Sequence, residues 1–259
     1  MTDLDGTLLN DEHVLAPETV EACRKVVASG NTFVIASGRH YVDIVGVRSV
    51  LGIRAYAISS NGARVHDPDD CVVFEQNLDS ALARSILAAP RPESLIASVF
   101  TSKDWLVDRP APELLAYHRH SGFTYRVEPL QAHCEGVAKL EFMGNPAALL
   151  DFERQLHAHH AGLICTTFSL PICLEITAPG VSKGAALTAL MQRLDFERHR
   201  VIAFGDNLND IEMLQVAGNP HIMGNAHARL LDLFPDATRI GRNTDGAVAS
   251  TLRSFFDCI

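Results

Sequence analysis

The sequence has little of what would tie the chain to nucleic acid, to a membrane or to an oxidising compartment. Its 259 residues include 22 basic and 31 acidic side chains, a net charge of -9, so the basic surface that binds a phosphate backbone is lacking. None of its six cysteines forms a CxxC pair, which is typical of reduced thiols in a chain of this length. No apolar run reaches the length of a membrane span, and no charged-then-apolar leader opens the chain. We therefore expect a cytoplasmic protein without nucleic-acid or membrane partners. A small anionic substrate stays compatible, because local cations can dominate one cleft.

Strand and helix patterns alternate in the first part of the chain and again in its last part. A short apolar strand over 32–36 is followed by a helix over 41–51, and another apolar strand covers 55–59. The alternation resumes with a helix over 182–194 and a strand over 200–204. This rhythm predicts an α/β fold with a Rossmann-like, doubly wound parallel sheet. In such sheets the ligand site lies at the carboxyl ends of the strands.

Between these parts the rhythm changes to an α+β pattern, with half-buried strands over 137–143 and 172–177. We therefore predict a core domain formed by residues 1–78 and 179–259, and an inserted α+β cap domain formed by residues 79–178. An insertion of this kind is expected to act as a lid over the strand ends, where it would shape a substrate pocket. The sequence does not define an oligomeric state.

Close to its start, the chain contains the segment Asp3-Leu4-Asp5-Gly6-Thr7. Residues two apart in an extended segment point the same way, so the carboxylates of Asp3 and Asp5 can face one pocket. One carboxylate can attack phosphorus, while the other protonates the leaving oxygen and then activates water. Gly6 permits the sharp turn that follows them. The alternative interpretation is an Asp-Gly turn that only caps the next segment.

Five further positions are candidates for contact with a phosphate or with the substrate. Ser37 and Gly38 follow an apolar strand and precede a helix, where a hydroxyl and backbone N–H groups can hold phosphate, although a plain N-cap turn has the same pattern. Lys183 lies at a helix start, where the macrodipole disfavours a cation, so we interpret it as neutralising a bound anion; the alternative is a solvated lysine. Asn209 can donate to phosphate or cap its helix. Arg39 can contact the substrate or the cap, or it can simply form a surface ion pair.

Asp206 and Asp210 bracket the entry to a helix, directly after the apolar strand 201–204. Mg²⁺ takes one or two carboxylates together with water and phosphate oxygens, so Asp206 at a strand end is a candidate ligand. Asp210 can orient the groups around the metal, or it can be an acid that the helix dipole favours. Mg²⁺ together with Lys183 would reduce the repulsion between an anionic aspartate and a phosphate dianion.

These segments resemble, in the same order, the four motifs of the haloacid-dehalogenase superfamily: Asp3–Leu9, Ala36–Arg39, Gly180–Gly184 and Gly205–Asp210. The insertion resembles the large class IIB cap of the Cof-type branch, and the resemblance covers essentially the whole chain. It implies that Asp3 is the nucleophile and Asp5 the general acid and base.

The resemblance also implies the ligands of a metal and of a phosphate. Mg²⁺ would be bound by Asp3, the backbone carbonyl of Asp5 and Asp206, with Asp210 behind them. The phosphate would contact the following groups: the Leu4 backbone, Ser37, Gly38, Lys183 and Asn209.

Together these expectations describe a Mg²⁺-dependent phosphatase, a phosphoric monoester hydrolase that passes through an aspartyl-phosphate. The resemblance implies a small phosphorylated metabolite as substrate: a sugar phosphate, pyridoxal phosphate or a thiamin-pathway pyrimidine pyrophosphate. Two alternatives stay open. A phosphomutase would use the same pair of acids without passing the phosphoryl group to water, and a catalytically weak protein would only bind the metabolite.

One feature departs from the family pattern. Only Met1 and Thr2 precede Asp3, whereas the family has several apolar residues there, forming a central strand. We expect a mostly empty sheet position, a frayed terminus around the nucleophile and a terminal ammonium close to the site. We also expect the start to be truncated, so that a short apolar extension would raise both thermal stability and activity.

Overall fold

The structure, a computed structural model, describes residues 1–256. It separates into two compact units, one formed by Met1–Phe74 and the chain from Ser182 onward, the other by Glu75–Val181. The divisions therefore follow Phe74 and Val181, a few residues away from the predicted boundaries after residues 78 and 178.

The described chain contains helices and strands in both units. In chain order the helices are α1 (Pro17–Ala28), α2 (Tyr41–Leu51), α3 (Ser80–Ala88), α4 (Pro146–His159), α5 (Lys183–Leu194), α6 (Ile211–Val216), α7 (Ala228–Leu233) and α8 (Ala247–Phe256). The strands are β1 (Phe33–Ala36), β2 (Ala55–Ser59), β3 (Arg64–His66), β4 (Val72–Glu75), β5 (Ile96–Phe100), β6 (Trp105–Val107), β7 (Arg126–Val127), β8 (Lys139–Met143), β9 (Cys165–Leu170), β10 (Cys173–Thr177), β11 (Ile202–Gly205), β12 (Asn219–Ile222) and β13 (Thr238–Arg239).

The sheet of the first unit is parallel through its centre. β1 pairs in parallel with β2, and β12 pairs in parallel with both β11 and β13. At one edge β2 pairs antiparallel with β3, which neighbours β4. The two halves of this core sheet meet at Thr2, which forms parallel bridges to Ile35 and Phe204. The predicted doubly wound α/β fold is confirmed, with the antiparallel strand β3 and its neighbour β4 added at one edge.

Apolar residues of the core sheet pack on both of its faces, because successive strand residues point in opposite directions. Ile35 belongs to one buried cluster with Cys23 of α1 and Val248 of α8. Its neighbour Val34 belongs to a second cluster with Leu187 of α5. The helices therefore cover both faces, and the strand ends are left for polar side chains.

The start of the chain is anchored in the sheet. The N–H of Thr2 donates to the carbonyl of Val34 at 3.0 Å, and the N–H of Ala36 donates to the carbonyl of Thr2 at 2.9 Å. On the other side, the N–H of Asp3 donates to the carbonyl of Phe204 at 3.0 Å. The expectation of a frayed terminus is therefore wrong, because backbone hydrogen bonds to both neighbouring strands hold the residues next to Asp3.

Beside this anchor the sheet opens into a slot between the starts of β1 and β11. The slot is a cavity of about 180 Å³ lined mainly by apolar side chains, among them Val26, Leu190 and Leu252. The terminal ammonium of Met1 donates to the carbonyl of Ile202 at 2.8 Å, and burial lowers its pKa to about 5. The two flanking strands leave room there for further extended backbone.

A strand-forming extension placed before Met1 should fill the slot and stabilise the fold. About five apolar, mostly β-branched residues would pair with β1 and β11 and bury their side chains between the helices. The extension would also replace the buried amine by a peptide group. We expect the melting temperature to rise by about 5 °C or more, measured by scanning calorimetry. A Gly-Ser extension of equal length is the control, and equal melting temperatures for the two would contradict the prediction.

The second unit contains a six-stranded sheet in the order β7-β6-β5-β8-β10-β9. Its pairs are antiparallel, except for β6 with β7. Phe142 of β8 meets Phe152 of α4 on one face, with ring centroids 4.8 Å apart. Because side chains alternate along β8, Lys139 and Glu141 lie on the opposite face, where the buried ammonium of Lys139 contacts Glu141 at 3.1 Å and also Glu175.

The structure also bears on membrane-spanning helices and on the state of the cysteines. No helix within residues 1–256 is both long and apolar enough to cross a membrane. The cysteines of the described chain are free thiols: Cys23, Cys71, Cys134, Cys165 and Cys173. Cys258 lies outside the described residues.

Candidate active site

Asp3 lies where the first extended residues leave the sheet, between β1 and β11. Its side chain is buried, and Oδ1 lies 2.6 Å from Nζ of Lys183. Burial raises the pKa of Asp3 well above its usual value; Lys183 opposes this shift, while Asp210 and Asp206 add to it. Lys183 is thus the cation that favours the ionised form of Asp3.

Lys183 starts α5, whose first turn is capped by Ser182: its Oγ accepts the N–H of Ala185 at 3.0 Å. The ammonium is fully buried between Oδ1 of Asp3 and Oδ1 of Asp210, each 2.6 Å away. Burial opposes the charge, but the carboxylates of Asp210 and Asp3 raise the pKa of Lys183 above its usual value. The alternative of a solvated surface lysine is therefore excluded.

Asp210 organises the loop that follows β11. Its Oδ2 accepts the N–H groups of Asp206 at 2.9 Å and Asn207 at 3.0 Å, while Oδ1 accepts from Lys183. Both carboxylate oxygens are thus engaged with donors of the protein. The consequence is a fixed loop that presents the Asp206 side chain next to Asp3.

Asp206 is the acid of this loop that is best placed to bind a cation. Its Oδ1 accepts the hydroxyl of Thr7 at 2.7 Å, and burial, with a further contribution from Asp210, raises its pKa to about 6. Carboxylate oxygens of Asp3, Asp206 and Asp210 lie within 4.8 Å of one another. Hard oxygen ligands suit Mg²⁺, and a cation would relieve the repulsion that the raised pKa values report. The donor set therefore fits Mg²⁺.

Gly6 allows the first loop to approach Asp206 closely. Its φ is +77°, and a Cβ at this position would lie 2.4 Å from Oδ2 of Asp206. The turn is closed by the N–H of Leu9, which donates to the carbonyl of the buried Leu4 at 2.9 Å. A side chain here would meet both backbone strain and a steric clash, so glycine is required.

Asp5 is bound by two basic side chains. Nε of Arg39 donates to Oδ2 at 2.7 Å, Nη2 donates to Oδ1 at 2.5 Å, and Nδ1 of His13 lies 2.9 Å from Oδ1. Burial opposes ionisation, but the hydrogen bonds and charge of Arg39, followed by those of His13, lower the pKa of Asp5. Asp5 is therefore a carboxylate in this state. Arg39 thus forms an ion pair, which was one of the interpretations left open for it, but the pair is partly buried and its partner is the candidate proton carrier.

Ser37 and Gly38 lie in the loop after β1, at the same end of the sheet. Ser37 is buried, and its Oγ accepts the N–H of Arg39 at 3.1 Å. A Cβ on Gly38 would lie 2.9 Å from Oδ1 of Asn61, and Nδ2 of Asn209 donates to this same oxygen at 3.0 Å. Asn61 thus connects the loops that follow β1, β2 and β11. Sequence reasoning gave it no role, although a polar residue directly after an apolar strand was the available signal.

Two asparagines from the last part of the chain, Asn225 and Asn243, donate hydrogen bonds to backbone carbonyls of the loop that follows Asp3. Nδ2 of Asn225 donates to the carbonyl of Gly6 at 2.8 Å, and its Oδ1 accepts the N–H of Asn243 at 3.0 Å. Nδ2 of Asn243 in turn donates to the carbonyl of Leu9 at 3.0 Å. Sequence reasoning assigned no role to either residue, since contacts over 219 and 234 positions leave no local pattern.

Comparison with known proteins agrees with this arrangement. The sequence model of the haloacid dehalogenase-like hydrolases matches residues 1–252. A protein of Cronobacter sakazakii named HMP-PP phosphatase is 36% identical over 258 residues, covering 98% of this chain and 94% of that protein. A protein of the same name from Yersinia enterocolitica is 35% identical over 252 residues, covering 97% and 92%. A crystal structure from Thermotoga maritima superposes with a TM-score of 0.87 at 28% identity, covering 98% of this chain and 95% of that chain.

The chain belongs to the haloacid dehalogenase-like hydrolases, as the match over nearly its full length and the doubly wound core both require. Within that family it is a Cof-type phosphatase, an enzyme of the phosphoric monoester hydrolase class.

Proposed function

We propose that this chain is a Mg²⁺-dependent phosphatase of small phosphorylated metabolites that works through an aspartyl-phosphate on Asp3. The observation that carries the proposal is the buried ammonium of Lys183 between Asp3 and Asp210, with Asp206 alongside. These residues come from three distant segments and converge beside the carboxyl ends of the parallel strands. Phosphoryl transfer to a carboxylate needs such a set: a nucleophile, a fixed cation and an acidic metal site.

In the first half-reaction Asp3 attacks the substrate. Lys183 holds Oδ1 at 2.6 Å, so Oδ2 is the oxygen that forms the new bond to phosphorus. The bond from phosphorus to the leaving oxygen breaks, and that oxygen takes a proton from Asp5. Since Arg39 binds Asp5 as a carboxylate, Arg39 must release it and Asp5 must take up a proton from solvent before it can protonate the leaving oxygen.

In the second half-reaction Asp5 acts as a base. Its carboxylate takes a proton from water, whose oxygen attacks the phosphorus of the aspartyl-phosphate. The bond between phosphorus and the oxygen of Asp3 breaks, which restores Asp3 and releases inorganic phosphate. The low pKa of Asp5 suits this step, because the group is ready to accept a proton.

The metal and the phosphate would share the same strand ends. Mg²⁺ would be held by the carboxylates of Asp3 and Asp206 and the backbone carbonyl of Asp5, and it supplies positive charge that lets a carboxylate approach a phosphate dianion. The phosphate would be held by this set: the Leu4 backbone, Ser37, Gly38, Lys183 and Asn209. Asp210 would keep Lys183 and the loop of Asp206 in place through its three hydrogen bonds, from Nζ of Lys183 and from the N–H groups of Asp206 and Asn207.

The substrate class is proposed from the relatives. Two of them carry the name HMP-PP phosphatase at 36% and 35% identity, so a compound of that kind is the first candidate. Sugar phosphates and pyridoxal phosphate are the other candidates. We propose that residues Glu75–Val181, the second unit, select among them.

The test is release of inorganic phosphate from a panel of small phosphorylated metabolites, with Mg²⁺ and with EDTA. We expect release with Mg²⁺, none with EDTA, and recovery when excess Mg²⁺ is returned. Conversion of a substrate to its isomer without free phosphate would instead identify a phosphomutase. Binding of a metabolite by the folded protein with neither product would contradict the phosphatase and favour the binding protein.

A further inference from the structure

His13 has a backbone conformation that side chains rarely adopt. Its φ is 59°, in the left-handed region that residues other than glycine seldom occupy, although histidine is found there more often than most, as asparagine and aspartate are. A tight turn holds it there. Oδ1 of Asn10 accepts the N–H groups of Glu12 at 3.0 Å and Val14 at 3.1 Å, and the N–H of His13 donates to the carbonyl of Asn10 at 2.9 Å.

This turn brings the imidazole onto Asp5. Nδ1 of His13 lies 2.9 Å from Oδ1 of Asp5, and because an ionised carboxylate only accepts, Nδ1 carries the hydrogen. The side chain of His13 is 49% exposed, so packing of the ring in a core does not account for this backbone conformation. The turn formed with Asn10 holds the backbone in this conformation, and the conformation places the imidazole on Asp5.

We propose that His13 is a positioning residue for Asp5. This rests on the proposed function, in which Asp5 carries the proton in both half-reactions. Arg39 binds both carboxylate oxygens, whereas His13 binds Oδ1 alone. When Arg39 releases Asp5 for the acid step, the hydrogen bond from His13 still orients the carboxyl group toward the leaving oxygen. Geometry matters at this step, because a displacement of about 1 Å can slow a reaction about a hundredfold.

Two substitutions separate the backbone of His13 from its side chain. His13→Gly relieves the left-handed strain but removes the donor, so we expect an unchanged or higher melting temperature together with a roughly tenfold loss of kcat/KM. His13→Asn also tolerates this backbone, and its Nδ2 occupies the place of Nδ1 relative to Cβ. We expect it to retain most of the activity.

The readout that a merely structural role would not move is the dependence on the leaving group. kcat/KM reports the steps up to formation of the aspartyl-phosphate, and an alkyl phosphate needs the proton from Asp5 far more than p-nitrophenyl phosphate does. We expect the loss in His13→Gly to be large for the alkyl ester and small for the nitrophenyl ester. Asp195→Gly is the matched control, since Asp195 has a φ of 55° at the end of α5 and kcat/KM should not change.

The outcomes separate the two proposals. If the unmodified enzyme releases phosphate but His13→Gly loses equal activity on both esters, or none, the positioning role is overturned while the phosphatase stands. If the unmodified enzyme releases no phosphate from any ester, the proposed function itself has failed. Activity in His13→Asn as low as in His13→Gly would also count against the role of the donor.

Discussion

Replacing Asp3 by Asn should abolish phosphate release and leave the protein folded. An amide cannot form the acyl phosphate, so we expect turnover to fall about 10⁴-fold or more. Folding should survive, because Lys183 keeps its contact with Asp210 at 2.6 Å and the substitution removes a buried charge. Phosphate release and thermal unfolding of the same samples measure the two effects.

The matched control for Asp3→Asn is Asp232→Asn, on the exposed side of α7. It makes the same chemical change away from the strand ends and should leave both turnover and melting temperature unaltered. Near-normal turnover in Asp3→Asn would show that another group attacks phosphorus. A large decrease in melting temperature would show that the carboxylate of Asp3 is needed for the fold, contrary to the expectation from its raised pKa.

Replacing Lys183 by Met should damage both stability and activity. The ammonium is completely buried between two carboxylates, so its removal leaves Asp3 and Asp210 buried without a counter-charge. Breaking a buried pair in this way costs about 3–5 kcal/mol. Phosphate release should fall as well, because the variant loses the cation that favours ionised Asp3 and meets the phosphate.

The destabilisation in Lys183→Met should depend on pH in a defined direction. Burial already raises the pKa of Asp3 in the folded protein, and loss of Lys183 raises it further. Stability contributed by the protonated form is present at low pH and lost as pH rises through that folded pKa. Urea unfolding should therefore show a smaller deficit at acidic than at neutral pH. Lys25→Met, on the exposed face of α1, is the control, and a pH-independent deficit would contradict the argument.

Sequence patterns predicted those elements that are stabilised by interactions within one segment of the chain. The helix over 41–51 matches α2 because its periodicity and the glycine after Leu51 act within the segment. The edge strands β3 and β4 were not predicted: β3 is the short, largely polar segment Arg64–His66 and has no apolar alternation. The expectation for the terminus failed for a related reason, since the bonds that hold Thr2 come from strands distant in sequence.

The composition of the candidate site was predictable, but its internal pairing was not. Motif spacing placed Asp3 and Asp206 at strand ends and Lys183 at a helix start, and the structure brings them together. The ion pair of Asp5 with Arg39 spans 34 positions, and its formation depends on side-chain rotamers that no pattern encodes. The contact of His13 with Asp5 depends on a left-handed backbone held by the side chain of Asn10, which the sequence pattern did not indicate.

The junction at Thr2 joins the two halves of the core sheet. Backbone bonds of Met1, Thr2 and Asp3 join the half containing β1 to the half containing β11, and the proposed nucleophile is itself one of these three residues. An enzyme can lose its activity through a small local distortion of the active site while the rest of its fold stays intact. Here the integrity of the sheet and the catalytic activity depend on the same residues, because separation of the two half-sheets would displace Asp3 at the same moment. We therefore expect turnover to be lost when the two halves of the sheet separate.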